Sequence, residues 1–302
     1  MEAITLTQLS KSFKRKHAVD HLDMHVPEGA IYGFIGENGA GKSTTQKIIC
    51  GLLQPTAGEV RLFGKSVNDA EVRARMGVLI ENPGVYMGWT AQENLLIQAM
   101  NIGVPDPAKT VRDALETVGL GDTGKKKVKE FSLGMKQRFG IASAFIGKPN
   151  ILVLDEPING LDPEGIREIR QTLLRLNQEY HVTILISSHI LGELSKIATH
   201  YGIIKGGRMV KEISAEALSR ECRDYMRVKV PHPERVLAYL REHIEMDSSE
   251  IVDGEIHLFN AKDGAAVNQC MFQNSDVASE ISYHQLDLEE YFMKLMGGGA
   301  NA

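Results

Sequence analysis

The sequence predicts an α/β fold built on a parallel sheet, followed by a small α+β domain at the C-terminal end. Three observations carry that expectation. The short apolar run Ile31–Ile35 breaks into a glycine-rich loop and then a helical stretch. A second apolar run, Ile151–Leu154, ends in two acids, Asp155 and Glu156. From there to Ile197, strand-like and helix-like segments alternate, the pattern of parallel strands joined by crossover helices.

Taken in order, Ile4 to Leu9 alternate apolar and polar residues, which predicts a half-buried strand. Thr44–Leu53 reads as a helix, closed by the turn Gln54-Pro55-Thr56-Ala57-Gly58. Thr90–Met100, Ala108–Val118 and Ser132–Ile146 each have helical spacing, so residues 90–146 read as an inserted helical subdomain. After the strand Ile151–Leu154 come helix Pro163–Gln178, strand Val182–Ile186 and helix Ile190–Ile197. Beyond Tyr225 the pattern is strand 225–230, helix 233–243, strands 247–252 and 255–260, helix 262–273, strand 277–284 and helix 287–296. That β-α-β-β-α-β order predicts a ferredoxin-like unit with one extra helix. The tail Gly297–Ala302 is expected to fray. Domains are therefore expected at 1–219 and 220–302, and 302 residues is a length suited to about two domains.

Composition narrows the function classes. With 43% hydrophobic and 24% charged residues, disorder and collagen-like structure are excluded. A net charge of −5 provides no basic footprint, so no nucleic-acid partner is expected. The charge is uneven: residues 220–302 carry 8 Lys/Arg against 15 Asp/Glu, an acidic module on a near-neutral body. Cys50, Cys222 and Cys270 lack metal-ligand spacing and form no disulfide framework, so a reducing cytoplasm is the expected setting. No apolar run approaches the roughly 18 residues a bilayer requires. No apolar stretch precedes Lys11, so no signal peptide is expected.

The chemistry starts at Gly36-x-x-x-x-Gly41-Lys42-Ser43, the P-loop pattern, between a predicted strand and a predicted helix. Its glycines let backbone N–H groups curl around phosphate oxygens, and the helix N-terminus adds its positive end. Gly36, Asn38, Gly39, Gly41 and Thr44 are thus candidate nucleotide-binding residues. Lys42 can reach the β- and γ-phosphates, and the Ser43 hydroxyl can ligate Mg²⁺. Asp155, at the carboxyl end of a buried strand, is suited to hold Mg²⁺, and Glu156 to polarise an attacking water.

With those pieces in place, the chain resembles the ATP-binding subunits of ABC transporters over residues 1–215. Phe131-Ser132-Leu133-Gly134-Met135-Lys136-Gln137-Arg138 resembles the family signature, normally Leu-Ser-Gly-Gly-Gln. Gly160-Leu161-Asp162 resembles the D-loop, His189 the switch histidine, and Phe13 the aromatic that stacks on adenine. The resemblance implies a P-loop NTPase core with an antiparallel β subdomain and a helical subdomain. It also implies ATP and Mg²⁺ as ligands and two ATPase subunits facing head to tail. In that pairing the P-loop of one copy meets Ser132 and Gly134 of the other. Intact Lys42, Glu156 and His189 permit a homodimer. Taken alone, Phe13 could be a core aromatic, and Ser132 and Asp162 could be ordinary helix caps.

Two departures stand out. Leu133 and Met135 replace the usual Gly and Gln of the signature, and Glu81 stands where the Q-loop normally supplies glutamine. A carboxylate there adds charge beside Mg²⁺ and the attacking water, making Glu81 a candidate for both catalysis and metal binding. With the C-terminal extension, these departures resemble the branch that exports bacitracin or lantibiotic-type antimicrobial peptides. The implied partners are separate transmembrane permease subunits and a second ATPase subunit, with the chain cytoplasmic and attached to the inner membrane face through them. Asn82–Asn94, with Tyr86, Met87 and Trp89, falls where the family borders the groove for a membrane-subunit helix; helical-subdomain core is the other reading of these side chains. The competing function is a soluble ABC-type ATPase with a regulatory or mechanical role. Those proteins carry paired cassettes or a long coiled-coil insertion, and neither occurs here. A kinase or GTPase leaves Ser132-Leu133-Gly134 unexplained, and no Asn-Lys-x-Asp motif is present.

Overall fold

The computed structural model describes residues 1–14, 16–81, 84–222, 224–261, 263–284, 291–292 and 295. The chain forms two compact units, Met1–Ala215 and Glu216–Ala302. In the first, β1 (Glu2–Phe13) and β2 (Lys16–Pro27) form a hairpin, and β3 (Ile31–Ile35) leads into α1 (Lys42–Ile49). Next come β4 (Ala57–Leu62), β5 (Lys65–Ser66), α2 (Ala70–Arg73) and β6 (Met76–Leu79). Helices α3 (Ala91–Asn101), α4 (Pro107–Thr117) and α5 (Leu133–Phe145) make the helical insertion. The chain then returns through β7 (Ile151–Asp155), α6 (Pro163–Tyr180), β8 (Thr183–Ser188), α7 (Leu191–Leu194), β9 (His200–Lys205) and β10 (Arg208–Ser214).

Two sheets organise this unit. One is antiparallel, in the order β2-β1-β4-β5, and the other runs β10-β9-β3-β8-β7-β6. In the larger sheet the pairs from β9 to β6 are parallel. Its centre is apolar because both faces are covered: every residue of β3 and β8 is buried, and β7 is buried up to Asp155. Register decides where the strands stop. Ile35 pairs with Ser188 and Asp155 with Ser187, so β3, β7 and β8 end together and deliver Gly36, Glu156 and His189 to one edge. In open parallel sheets that carboxyl edge is where ligands bind.

Local chemistry sets the helix starts. Thr90 and Glu93 form a reciprocal capping box at α3, with Thr90 Oγ1 accepting from the Glu93 amide at 3.2 Å and Glu93 Oε2 accepting from the Thr90 amide at 2.8 Å. Ser132 caps α5, and Asp162 caps α6 with Pro163 at the first helical position. The expected helix 190–197 is cut to the single turn Leu191–Leu194.

Periodicity missed several strands. In β2 the buried Val19, Leu22, Met24 and Val26 lose a strict two-residue rhythm because register shifts interrupt the pairing between Leu9↔Leu22 and Lys11↔Val19. The β9–β10 hairpin turns on Gly206 and Gly207, a two-glycine turn signal that the sequence displays.

In the second unit, α8 (Ala215–Glu221) is followed by β11 (Tyr225–Lys229), α9 (Pro233–His243), β12 (Ser248–Val252), β13 (Glu255–Phe259), α10 (Gly264–Gln273) and β14 (Glu280–His284). The sheet order is β12-β13-β11-β14, with every neighbouring pair antiparallel. Met226, Val228, Leu237, Leu240, Ile256, Leu258, Val267 and Met271 make its core. The last strand, expected from 277, starts at Glu280. The expected helix 287–296 lies outside the described residues except at 291–292 and 295, and the tail 297–302 lies wholly outside them.

Candidate functional site

The loop between β3 and α1 is shaped by glycines that admit no side chain. Gly41 has φ 112°, and a Cβ there would stand 2.5 Å from the Ala18 carbonyl oxygen. At Gly36 a Cβ would meet the Ile204 carbonyl oxygen at 2.5 Å. The loop is also tied to its surroundings, since the Gly207 amide donates to the Ala40 carbonyl at 2.9 Å. Asn38 and Gly39 are exposed on its rim, and Ser43 and Thr44 are half-buried at the start of α1. Lys42 is 5% exposed; its Nζ donates to Gly36 O at 2.6 Å and Glu37 O at 3.3 Å. The ammonium is therefore held by the loop's own carbonyls at the centre of the cradle. Thr45 Oγ1 donates to Gly41 O at 2.9 Å, and Gln46 Nε2 donates to Leu154 O at 3.1 Å, tying α1 to β7.

Glu156 faces that lysine. Its Oε1 lies 3.4 Å from Lys42 Nζ, and its Oε2 lies 2.8 Å from His189 Nδ1. Glu156 occupies the left-handed region at φ 49°, which a side chain tolerates only where its surroundings hold it. The hold comes from Ser187: its carbonyl and its Oγ accept from the Glu156 amide at 3.2 and 3.0 Å. The same hydroxyl donates to Asp155 Oδ1 at 2.6 Å. Ser187, which the sequence reading did not single out, thus fixes both acids; its only signal was the Ser-Ser-His run at the end of β8.

Around this centre the structure brings together Lys42, Asp155, Glu156 and His189, with Ser43 one residue from Lys42. A small cation with oxygen ligands suits the Ser43 hydroxyl and the Asp155 carboxylate, both half-buried. Glu81 is turned elsewhere. Its Oε1 accepts from Lys47 Nζ at 2.8 Å, at the end of α1, and that bond holds its carboxyl below the usual range. Glu81 too is left-handed, at φ 65°.

Phe13 ends β1 at 48% exposure, with Lys11 Nζ 5.2 Å above its ring, so it is no core aromatic. It belongs to the hairpin whose second strand carries Ala18 against Gly41. Ser132, Gly134, Gly160, Leu161, Asp162 and Gly165 line a separate cleft of about 530 Å³, which no residue of 36–44 lines. There Ser132 Oγ accepts from the Met135 amide at 3.2 Å, and Asp162 Oδ1 accepts from the Gly165 amide at 3.0 Å. A Cβ at Gly134 would rest in ordinary contact with Gly165 Cα at 3.7 Å, at the start of α6. Tyr86, Met87 and Trp89 are exposed, which rules out the reading of these side chains as subdomain core.

Residues 19–159 match the ABC transporter family. The bacitracin transport ATP-binding protein BcrA of Bacillus licheniformis is 40% identical over 300 residues, 98% of this chain and 98% of that protein. The lantibiotic transport ATP-binding protein SrtF of Streptococcus pyogenes is 40% identical over 209 residues, 69% of this chain and 90% of that protein. Among solved structures, the dimeric post-hydrolysis state of the ATP-binding cassette MJ0796 with ADP and Pi aligns at TM-score 0.64 and 25% identity, covering 70% of this chain and 98% of that one.

Proposed function

This chain belongs to the ABC transporter family, and we propose that it hydrolyses ATP to drive export of bacitracin- or lantibiotic-like peptides through separate membrane subunits. The observation that carries this reading is Glu156, its carboxylate reaching both Lys42 and His189 at the carboxyl edge of the sheet. ATP with Mg²⁺ is the ligand pair of the family. Ser43 and Asp155 are the residues that would hold the ion, which when bound offsets charge on the β- and γ-phosphate oxygens.

The rest is done by the chain itself. Lys42 exchanges its Gly36 carbonyl for phosphate oxygens, while the backbone amides from Asn38 to Thr44 wrap them. Glu156 takes the proton of the attacking water, and His189 orients that carboxylate and reports the γ-phosphate. Phe13 stacks on the adenine. Since Ser132, Gly134 and Asp162 open on a different cleft from the P-loop, two copies placed head to tail complete each other's site. Nucleotide that binds the closed pair far better than separate copies converts binding and release into motion. Among the described residues no helix is long and apolar enough to cross a membrane, and attachment to its inner face through the permease subunits belongs to this proposal.

Bacitracin survival of cells expressing the chain with its membrane subunits tests the reading. Protection should appear with the native chain and vanish with Glu156→Gln; equal protection by both would reject it. Glu81→Ala should lower ATPase activity in the assembled complex more than it lowers ATP affinity. Because Glu81 is paired with Lys47 and not with Lys42, ATP binding alone should be little changed. Equal activity of the two complexes would remove Glu81 from the mechanism.

A further inference from the structure

Among the described residues, two buried side-chain polar atoms have no hydrogen-bond partner, Arg138 Nε and Gln46 Oε1. Gln46 is the one beside the nucleotide site. It lies in α1, three residues after Ser43, and is fully buried. The same helix gives Ile48, Ile49 and Cys50 to the core cluster that holds Ile151 and Val153 of β7. An apolar side chain at 46 would bring no unpaired group into that interior, and a buried acceptor left unpaired costs stability. Packing therefore does not account for an amide at this position. The neighbouring Thr45 is equally buried, but its hydroxyl is used within the helix, on Gly41 O at 2.9 Å.

What the amide does is reach the end of β7. Its Nε2 donates at 3.1 Å to the carbonyl of Leu154, the residue before Asp155. The pairing of β6 with β7 stops at Leu79↔Leu154, whereas β7 and β8 pair on to Asp155↔Ser187. The end of β7 is thus gripped at two adjacent residues. On the β8 side the Ser187 hydroxyl donates to Asp155 Oδ1 at 2.6 Å, and on the α1 side Gln46 holds Leu154. Ser43 rides on the same helix as Gln46. One short helix therefore carries the hydroxyl ligand and also the fastener of the strand that carries the carboxylate.

We infer that Gln46 is a positioning residue for the divalent cation, setting the spacing of the Ser43 hydroxyl and the Asp155 carboxylate by locking α1 to the end of β7. The inference rests on the reading of those two groups as the oxygen ligands and adds the residue that fixes them relative to each other. Magnesium demands near-ideal octahedral geometry, so its affinity falls when ligands on two separate elements drift apart. Groups that orient metal ligands from behind are worth about ten- to a hundredfold in metal affinity. Gln46 acts through Asp155 and not on the nucleotide, so phosphate binding by the loop should not depend on it.

The purified full chain, saturated with a non-hydrolysable ATP analogue, is titrated with Mn²⁺, and the free ion is read by electron paramagnetic resonance. Gln46→Met and Gln46→Leu should each weaken Mn²⁺ binding by about tenfold, while affinity for the analogue without metal stays at the native value. Excess Mg²⁺ should return ATP turnover of both variants to near the native rate, a rescue that a folding defect does not allow. Ile48→Val, which removes a buried methyl group from the same helix, should keep native Mn²⁺ affinity. Asp155→Asn is the reference and should lose the ion more severely than either Gln46 variant. Native Mn²⁺ affinity in both Gln46 variants beside a loss in Asp155→Asn would overturn the inference and leave the reading of the site standing. Native affinity in Asp155→Asn would remove both. An equal loss in Ile48→Val, a matching loss of metal-free nucleotide, or failure of both Gln46 variants to fold would make Gln46 a structural residue and overturn the inference as well.

Discussion

Glu156→Gln should cut ATP turnover by at least about a hundredfold, the scale of losing a positioned general base, while ATP-driven pairing of two copies persists. The amide keeps the size of the side chain and cannot take a proton from water. The surroundings are built to hold the side chain in place: the backbone is pinned in the left-handed region by Ser187, and the carboxylate is spanned by Lys42 and His189. Substitution removes a negative charge 3.4 Å from Lys42, so the lysine is freer to engage phosphate and nucleotide should be retained. Phosphate release and size-exclusion chromatography with ATP read the two effects separately. Turnover near the native rate would remove Glu156 as the base, and loss of pairing would make its role structural.

Gly41→Ala should abolish measurable nucleotide binding and lower stability by about 2 kcal/mol or more, the cost of a strained backbone position with nowhere to relax. At φ 112° a Cβ is disfavoured in itself, and here it would press on the Ala18 carbonyl at 2.5 Å, a backbone atom of β2. Relief would require the loop to move off β2 and off the Gly207 turn, which donates to Ala40 at 2.9 Å. Loop shape and phosphate affinity are the same property, because the amides that bind are the amides that curl. Thermal unfolding and nucleotide titration check this. Native values of both would mean that the loop adopts its shape without needing glycine at 41.

How much of this was legible depends on what kind of interaction carried it. The P-loop, the acids after β7, and the helix caps Ser132 and Asp162 are local, set by residues within a few positions of one another, and the sequence displays them. The short strands β6 and β9 and the bulged β2 escaped because their pairing partners, not their own rhythm, make them strands. The apolar character of Tyr86, Met87 and Trp89 fitted core and surface equally. Only the hydrogen bonds from Asn94, Val128 and Lys129 turn that loop outward.

From its residues alone the chain determined its family chemistry: a loop that accepts phosphate, two acids at a strand end, and a second glycine-bearing turn at Ser132. Those depend on residue type and spacing, which a linear pattern records in full. The tertiary structure decided which groups touch. Parallel register ends β3, β7 and β8 at one level, so Glu156 meets Lys42 and His189 although 114 and 33 residues separate them. It also placed Glu81 on Lys47 and set Ser132 apart from the P-loop, because side-chain direction and distance follow from packing between elements rather than from their order along the chain.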